Sequence, residues 1–243
     1  MNTFAVIILV VLLGEYFLGL ISGMLSLRTF SSKLPTEFIG VFDEDKYKDA
    51  HRYNKTRTQF GFITTTANLC FLLAFWFVGG FEWLDQTLRS FHYGPILTGL
   101  AYIGTLVLLS SALNLPFKLY STFTIEARFG FNRTTIATFV TDLLKGLVLG
   151  SVIGGILLAV ILGFFEWAGA LAWLWCWVAA TVLMFALQFI APTWIMPLFN
   201  TFTPLNEGEL HDAIHSYAHS VRFPLQGVFV VDGSRRSSKA NAF

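Results

Sequence analysis

Five stretches of about 20 or more mostly apolar residues, at Phe4–Leu27, Phe60–Leu84, Pro95–Leu115, Leu143–Phe165 and Ala168–Ile190, constrain this chain more than any other feature. A helix rises about 1.5 Å per residue, so roughly 20 residues cross the ~30 Å hydrocarbon core of a bilayer. The apolar residues run on without period-2 alternation, which argues against a β-barrel. Composition agrees with lipid as the solvent: 55% of the residues are hydrophobic and 13% charged, against roughly 45–50% and about 25% in soluble domains. The sequence therefore predicts an all-α multi-pass membrane protein with about five transmembrane helices.

The basic residues predict the orientation. Seven lie between the first and second stretches (Arg28, Lys33, Lys46, Lys48, Arg52, Lys55, Arg57), and four follow the third (Lys118, Arg128, Arg133, Lys145). Four more follow the fifth (Arg222, Arg235, Arg236, Lys239), and Arg89 alone falls in the connections on the opposite side. Lys and Arg gather on the cytoplasmic side of membrane proteins, so the N-terminus should face outward and the long connections and C-terminal region the cytoplasm. Met1-Asn2-Thr3 supplies no basic n-region, so the first stretch reads as a retained span rather than a cleaved signal. A net charge of +1 gives no electrostatic basis for a nucleic-acid partner. Cys70 and Cys176 sit inside apolar runs and read as packing residues rather than a disulfide or metal ligands.

Residues 1–195 form the expected membrane region, with cytoplasmic connections at 28–59 and 116–142. Pro192 and Pro197 should end the fifth helix, and the character of the chain then changes. Leu205–Val221 reads as an amphipathic, water-soluble helix, Gly227–Val231 as a strand, and Asp232-Gly233-Ser234 as a turn leading toward a further strand. A lone strand has no sheet to join. Residues 196–243 therefore read as the incomplete beginning of a folded domain on the cytoplasmic side.

Three features invite a chemical reading. His211, His215 and His219 lie along one helical face, but the first and last are about 12 Å apart along the axis and cannot easily share one ion; a helix surface that happens to use histidine is the favoured reading. Glu15 lies within a span, where an ionised carboxylate costs at least a few kcal/mol. It either lines an aqueous interior or hydrogen-bonds a neighbouring helix, through Ser22 or the Thr64-Thr65-Thr66 cluster. Gly146, Gly150 and Gly154 recur every fourth residue, a smooth stripe that would let another backbone approach closely.

Three blocks carry a family resemblance. Leu115–Thr135 (LPFKLYSTFTIEARFGFNRTT), Ala191–Gly208 (APTWIMPLFNTFTPLNEG) and Val228–Phe243 (VFVVDGSRRSSKANAF) resemble, in order, segments of the CAAX prenyl protease type 1 family, and Leu34–Phe60 resembles it more weakly. The resemblance implies a zinc metalloendopeptidase with seven membrane helices around a water-filled chamber, of which this chain would carry about five, followed by the start of an α+β metalloprotease domain. Its implied partners are the lipid bilayer and a peptide or protein substrate, prenylated in eukaryotic members.

In that family two His of an H-E-x-x-H helix and a downstream Glu hold the zinc, while the motif Glu activates water. Here the five histidines are followed by Arg52, Tyr93, Asp212, Ser216 and Ser220. The zinc cofactor would thus be bound by residues downstream of Phe243, and these residues alone should supply neither catalytic groups nor metal ligands. The one position carried over is Asn241, which would hydrogen-bond a substrate carbonyl or else be an edge-strand residue in a turn. Arg235 and Arg236 read as a solvated charge pair in preference to contacts for a substrate carboxylate or an anionic headgroup. Outside the resemblance, the alternatives are a non-catalytic membrane scaffold or a transporter-like protein, although no second, inverted half is apparent.

Overall fold

The computed structural model describes residues 2–29, 40, 43–225 and 227–239. The chain divides into two compact units, Met1–Asn132 and Arg133–Phe243. Five helical stretches across them are long and apolar enough to span a membrane.

In the first unit, α1 (Thr3–Thr29) is apolar on all sides and α2 (Glu44–Phe77) is the longest helix. The Asp43 carboxylate caps α2 by accepting from the amides of Asp45 (2.8 Å) and Lys46 (3.1 Å). Those two amides, Lys46 first, hold the Asp43 carboxyl below its ordinary value. Much of the connection expected between the first two spans is thus the solvated start of α2. The second span also ends earlier than Leu84, because the chain turns at Gly79 (φ 78°), whose left-handed backbone a side chain would oppose. A separate helix, α3 (Gly80–Arg89), follows, with Leu84 turned in and Trp83 exposed.

Helix α4 (Pro95–Tyr120) starts on a proline, where a missing N–H costs nothing, and tolerates Pro116 near its end. One wide π-helical turn, Ser121–Glu126, carries it further, so helix rather than loop occupies the residues just after Leu115.

The second unit opens with Thr135, whose hydroxyl accepts from the Thr138 amide at 3.1 Å and caps α5 (Ile136–Trp167). A short 3₁₀ turn at Gly169–Leu171 leads into α6 (Ala172–Ile190). The two helices pack together, with Phe164 and Trp175 stacked at 6.2 Å and the Cys176 thiol 3.7 Å from the Ile161 carbonyl. Pro192 and Pro197 do not stop the fifth span at Ile190. Each occupies a first-turn position, in the π-helical turn Ala191–Ile195 and in α7 (Met196–Phe199), where proline is accommodated.

Strand β1 (Phe202–Pro204), helix α8 (Glu209–Ser220) and strand β2 (Phe229–Val231) follow. The expected lone strand has a partner: β1 and β2 pair antiparallel, with Phe202 opposite Val231 and Pro204 opposite Phe229. Asp232 closes the ladder by accepting from the Thr201 amide at 2.8 Å. A 3₁₀ turn, Asp232–Arg235, occupies the predicted turn.

Burial confirms which solvent this surface meets. Among the described residues only Tyr53, Gly80, Leu84, Thr98, Ile125, Ala172 and Ala218 are buried, while Phe4, Val78, Trp167 and Phe189 are all at least 75% exposed. A large exposed apolar surface is unstable in water and ordinary in hydrocarbon.

Candidate functional site

A polar constellation of four side-chain hydrogen bonds is built on Arg236, at the foot of the 3₁₀ turn that follows β2. Its guanidinium donates from Nε (2.6 Å) and Nη2 (2.9 Å) to the two carboxylate oxygens of Asp142 on α5. Nη1 donates to Asn200 Oδ1 (2.8 Å), and Nη2 also to the Phe199 carbonyl (2.6 Å) at the end of α7. The Arg236 carbonyl accepts from the Arg133 amide and the Thr134 hydroxyl, both at 3.0 Å. One residue thus ties the first turns of α5, the last turn of α7 and the segment after β2 together. A fork of donors meeting a carboxylate in two parallel bonds is the strongest form of this contact. The Asp142 hydrogen bond raises the Arg236 pKa still further.

This corrects the reading of Arg236 as a solvated charge: four of its five N–H donors bond inside the protein, to Asp142, Asn200 and the Phe199 carbonyl. Lys145, one turn further along α5, donates to the Leu198 carbonyl at 2.7 Å and lies 5.9 Å over the Phe199 ring. No local pattern links these partners, since Asp142 and Arg236 are 94 residues apart. Asn241 lies outside the described residues.

A second node lies in the first unit. Tyr53, 7% exposed, donates its hydroxyl to Glu126 and sets its ring edgewise against Phe129 (5.3 Å) and Phe131 (5.0 Å). It fastens the water-exposed part of α2 to the end of the α4 π-helical turn. Within the bilayer, Tyr16 rather than Glu15 reaches the threonine cluster, its hydroxyl lying 2.9 Å from Thr66 Oγ1. Asn68 and Asn114 share an amide hydrogen bond of 2.9 Å between α2 and α4.

His211 and His215 lie with ring centroids 4.3 Å apart, and His211 Nδ1 is 3.3 Å from Asp212. Among the described residues no three His, Cys, Asp or Glu side chains converge as metal ligands. These residues do not fit zinc. At Gly146, Gly150 and Gly154 a Cβ would meet nothing within 4 Å among the described residues, so the close approach expected along this stripe is not made there.

An apolar helical array with sparse polar fastenings and a small two-stranded sheet beside helix α8 defines a polytopic membrane protein. A family profile described as CAAX prenyl protease N-terminal, five membrane helices, matches residues 24–201, and the chain belongs to this family. The CAAX prenyl protease 1 homolog of Arabidopsis thaliana is 35% identical over 217 residues, covering 86% of this chain and 51% of the relative. The probable CAAX prenyl protease 1 of Schizosaccharomyces pombe is 36% identical over 214 residues, covering 83% and 45%. The crystal structure of S. mikatae Ste24p superposes with a TM-score of 0.91 at 30% identity, covering 100% of this chain and 58% of that one. The chain spans about half the length of the curated relatives it matches. Membership in this family does not favour the scaffold or transporter-like alternative.

Proposed function

We propose that this chain is the membrane-chamber portion of an integral-membrane zinc metalloendopeptidase that hydrolyses a peptide bond next to a prenylated cysteine. Residues 1–195 would form the chamber wall, and 196–243 the beginning of a cytoplasmic α+β metalloprotease domain. The zinc would be held by ligands other than the α8 histidines, and the chain by itself would be inactive. Asn241 would hydrogen-bond a substrate carbonyl. The N-terminus would face outward and the long connections the cytoplasm.

The observation carrying this reading is the pairing of the family match over 24–201 with the 0.91 superposition on Ste24p across the whole chain. The Arg236 fork adds a physical role. It holds the segment after β2 against α5 and α7, so that the run leading to Asn241 starts from a fixed point.

The test is a chimaera in which this chain replaces the matching half of the Saccharomyces cerevisiae CAAX prenyl protease 1, to which it is 34% identical over 227 residues. Cleavage of a prenylated CAAX peptide should be restored, and Asn241→Ala should lower kcat. A well-inserted chimaera that binds zinc but cleaves nothing would refute the proposal. So would stoichiometric zinc retained by this chain alone through His211 and His215.

A further inference from the structure

A cavity of about 430 Å³ opens in the first unit between α2 and the residues that follow the α4 π-helical turn. Arg52, Lys55 and Arg128 supply cations to its lining, Thr56 and Gln59 neutral donors, and Phe129 and Phe131 an apolar wall. The wall is fixed, because both rings are braced edgewise by the buried Tyr53. Charge in the cavity is unbalanced. Asp49, the one carboxylate in the lining, is engaged by Arg52. Lys55 and Arg128 make no ion pair among the described residues, and the Arg128 guanidinium lies 5.9 Å over the Phe129 ring. The Glu126 carboxylate, which is not part of the lining, accepts from the Tyr53 hydroxyl.

Depth identifies the ligand. The apolar part of α2, Phe60–Phe77, is about 27 Å long at 1.5 Å per residue, which matches the hydrocarbon core. Thr56 and Lys55 then stand about 6 and 7.5 Å beyond its edge, within and at the outer limit of a headgroup layer of roughly 5–7.5 Å. We infer that this cavity is a binding site for the phosphate of an anionic membrane lipid, with Lys55 and Arg128 as its unpaired cations and the Phe129–Phe131 wall against the glycerol and upper acyl carbons. An aromatic wall suits a ligand that continues into hydrocarbon and gives nothing to a free phosphate ion. The inference rests on α2 spanning a bilayer and is independent of any peptidase activity.

The test uses the full 243-residue chain in a non-ionic detergent, titrated with dioctanoyl phosphatidic acid and dioctanoyl phosphatidylcholine. The anionic lipid should bind at least about tenfold more tightly. Lys55→Gln and Arg128→Gln should each weaken it about fivefold, and together about 25-fold, as expected for one cation each near an anionic headgroup. Lys46→Gln with Lys48→Gln removes the same charge further out on α2 and should leave affinity within about twofold. Lys55→Arg should bind like the parent, which keeps the test decisive if a glutamine variant aggregates. Equal binding by the double glutamine variant, equal weakening by the outer pair, loss on Lys55→Arg, or displacement of the lipid by equimolar inorganic phosphate would each overturn the inference.

Discussion

Replacing Arg236 by alanine should release the segment after β2 from both α5 and α7. The side chains of Arg236 and Asp142 are only 24% and 26% exposed, so water screens their attraction incompletely. Four side-chain hydrogen bonds are lost at once, two to Asp142 and one each to Asn200 and Phe199. Removing one member of a fully buried pair costs about 3–5 kcal/mol, and single hydrogen bonds to charged groups about 1.5–3 kcal/mol. Partial exposure reduces this, giving about 2–4 kcal/mol for Arg236→Ala. Lysine keeps the charge without the planar fork, so Arg236→Lys should recover less than half of the loss. Unfolding in mixed detergent micelles, combined with Asp142→Asn in a double-mutant cycle, reads the pair directly. A coupling of about 1–2 kcal/mol is expected. Additive effects, or a lysine variant as stable as the parent, would refute the clamp.

Tyr53→Phe deprives Glu126 of the Tyr53 hydroxyl while keeping the ring contacts, and should cost about 1–2 kcal/mol in the same assay; Tyr53→Leu, which also loses the Phe129 and Phe131 edges, should cost more. At Gly80 a Cβ would lie 2.7 Å from the Phe75 carbonyl oxygen, backbone that cannot step aside, so Gly80→Ala should destabilise by about 1–3 kcal/mol. The α2 cap should be pH-sensitive: the Asp43 carboxyl is held below 3.8, so its contribution is complete above that value and lost as pH falls through the lowered one. Hydrogen exchange at the Asp45 and Lys46 amides should accelerate in that acidic window, and Asp43→Asn should abolish the pH dependence.

The spans were legible because in lipid an uninterrupted apolar run suffices, and their number survives in the structure. Their ends were less legible. Phe81, Trp83 and Leu84 extend the apolar run past Phe77, and only the left-handed backbone at Gly79 shows that the helix stops. The prolines misled in the opposite direction, because a first-turn proline does not break a helix and nothing local distinguishes the two cases for Pro192. Strand β1 is three residues long and ends in proline, so no alternation marks it, and its partner lies beyond a whole helix. The destination of Arg236 was unreadable for the same reason: a charge declares its sign in sequence but not the carboxylate 94 residues away that neutralises it.

Residues at successive connections should stand on opposite faces of a bilayer, and cysteine accessibility measures this directly. With Cys70 and Cys176 replaced by serine, single cysteines at Lys48, Arg89, Ala170 and Lys239 would be exposed in intact cells to an impermeant thiol reagent. Arg89→Cys and Ala170→Cys should label at once, whereas Lys48→Cys and Lys239→Cys should label only after the membrane is opened. Equal labelling of Lys48→Cys and Arg89→Cys in sealed cells would contradict the five-span arrangement on which the account depends.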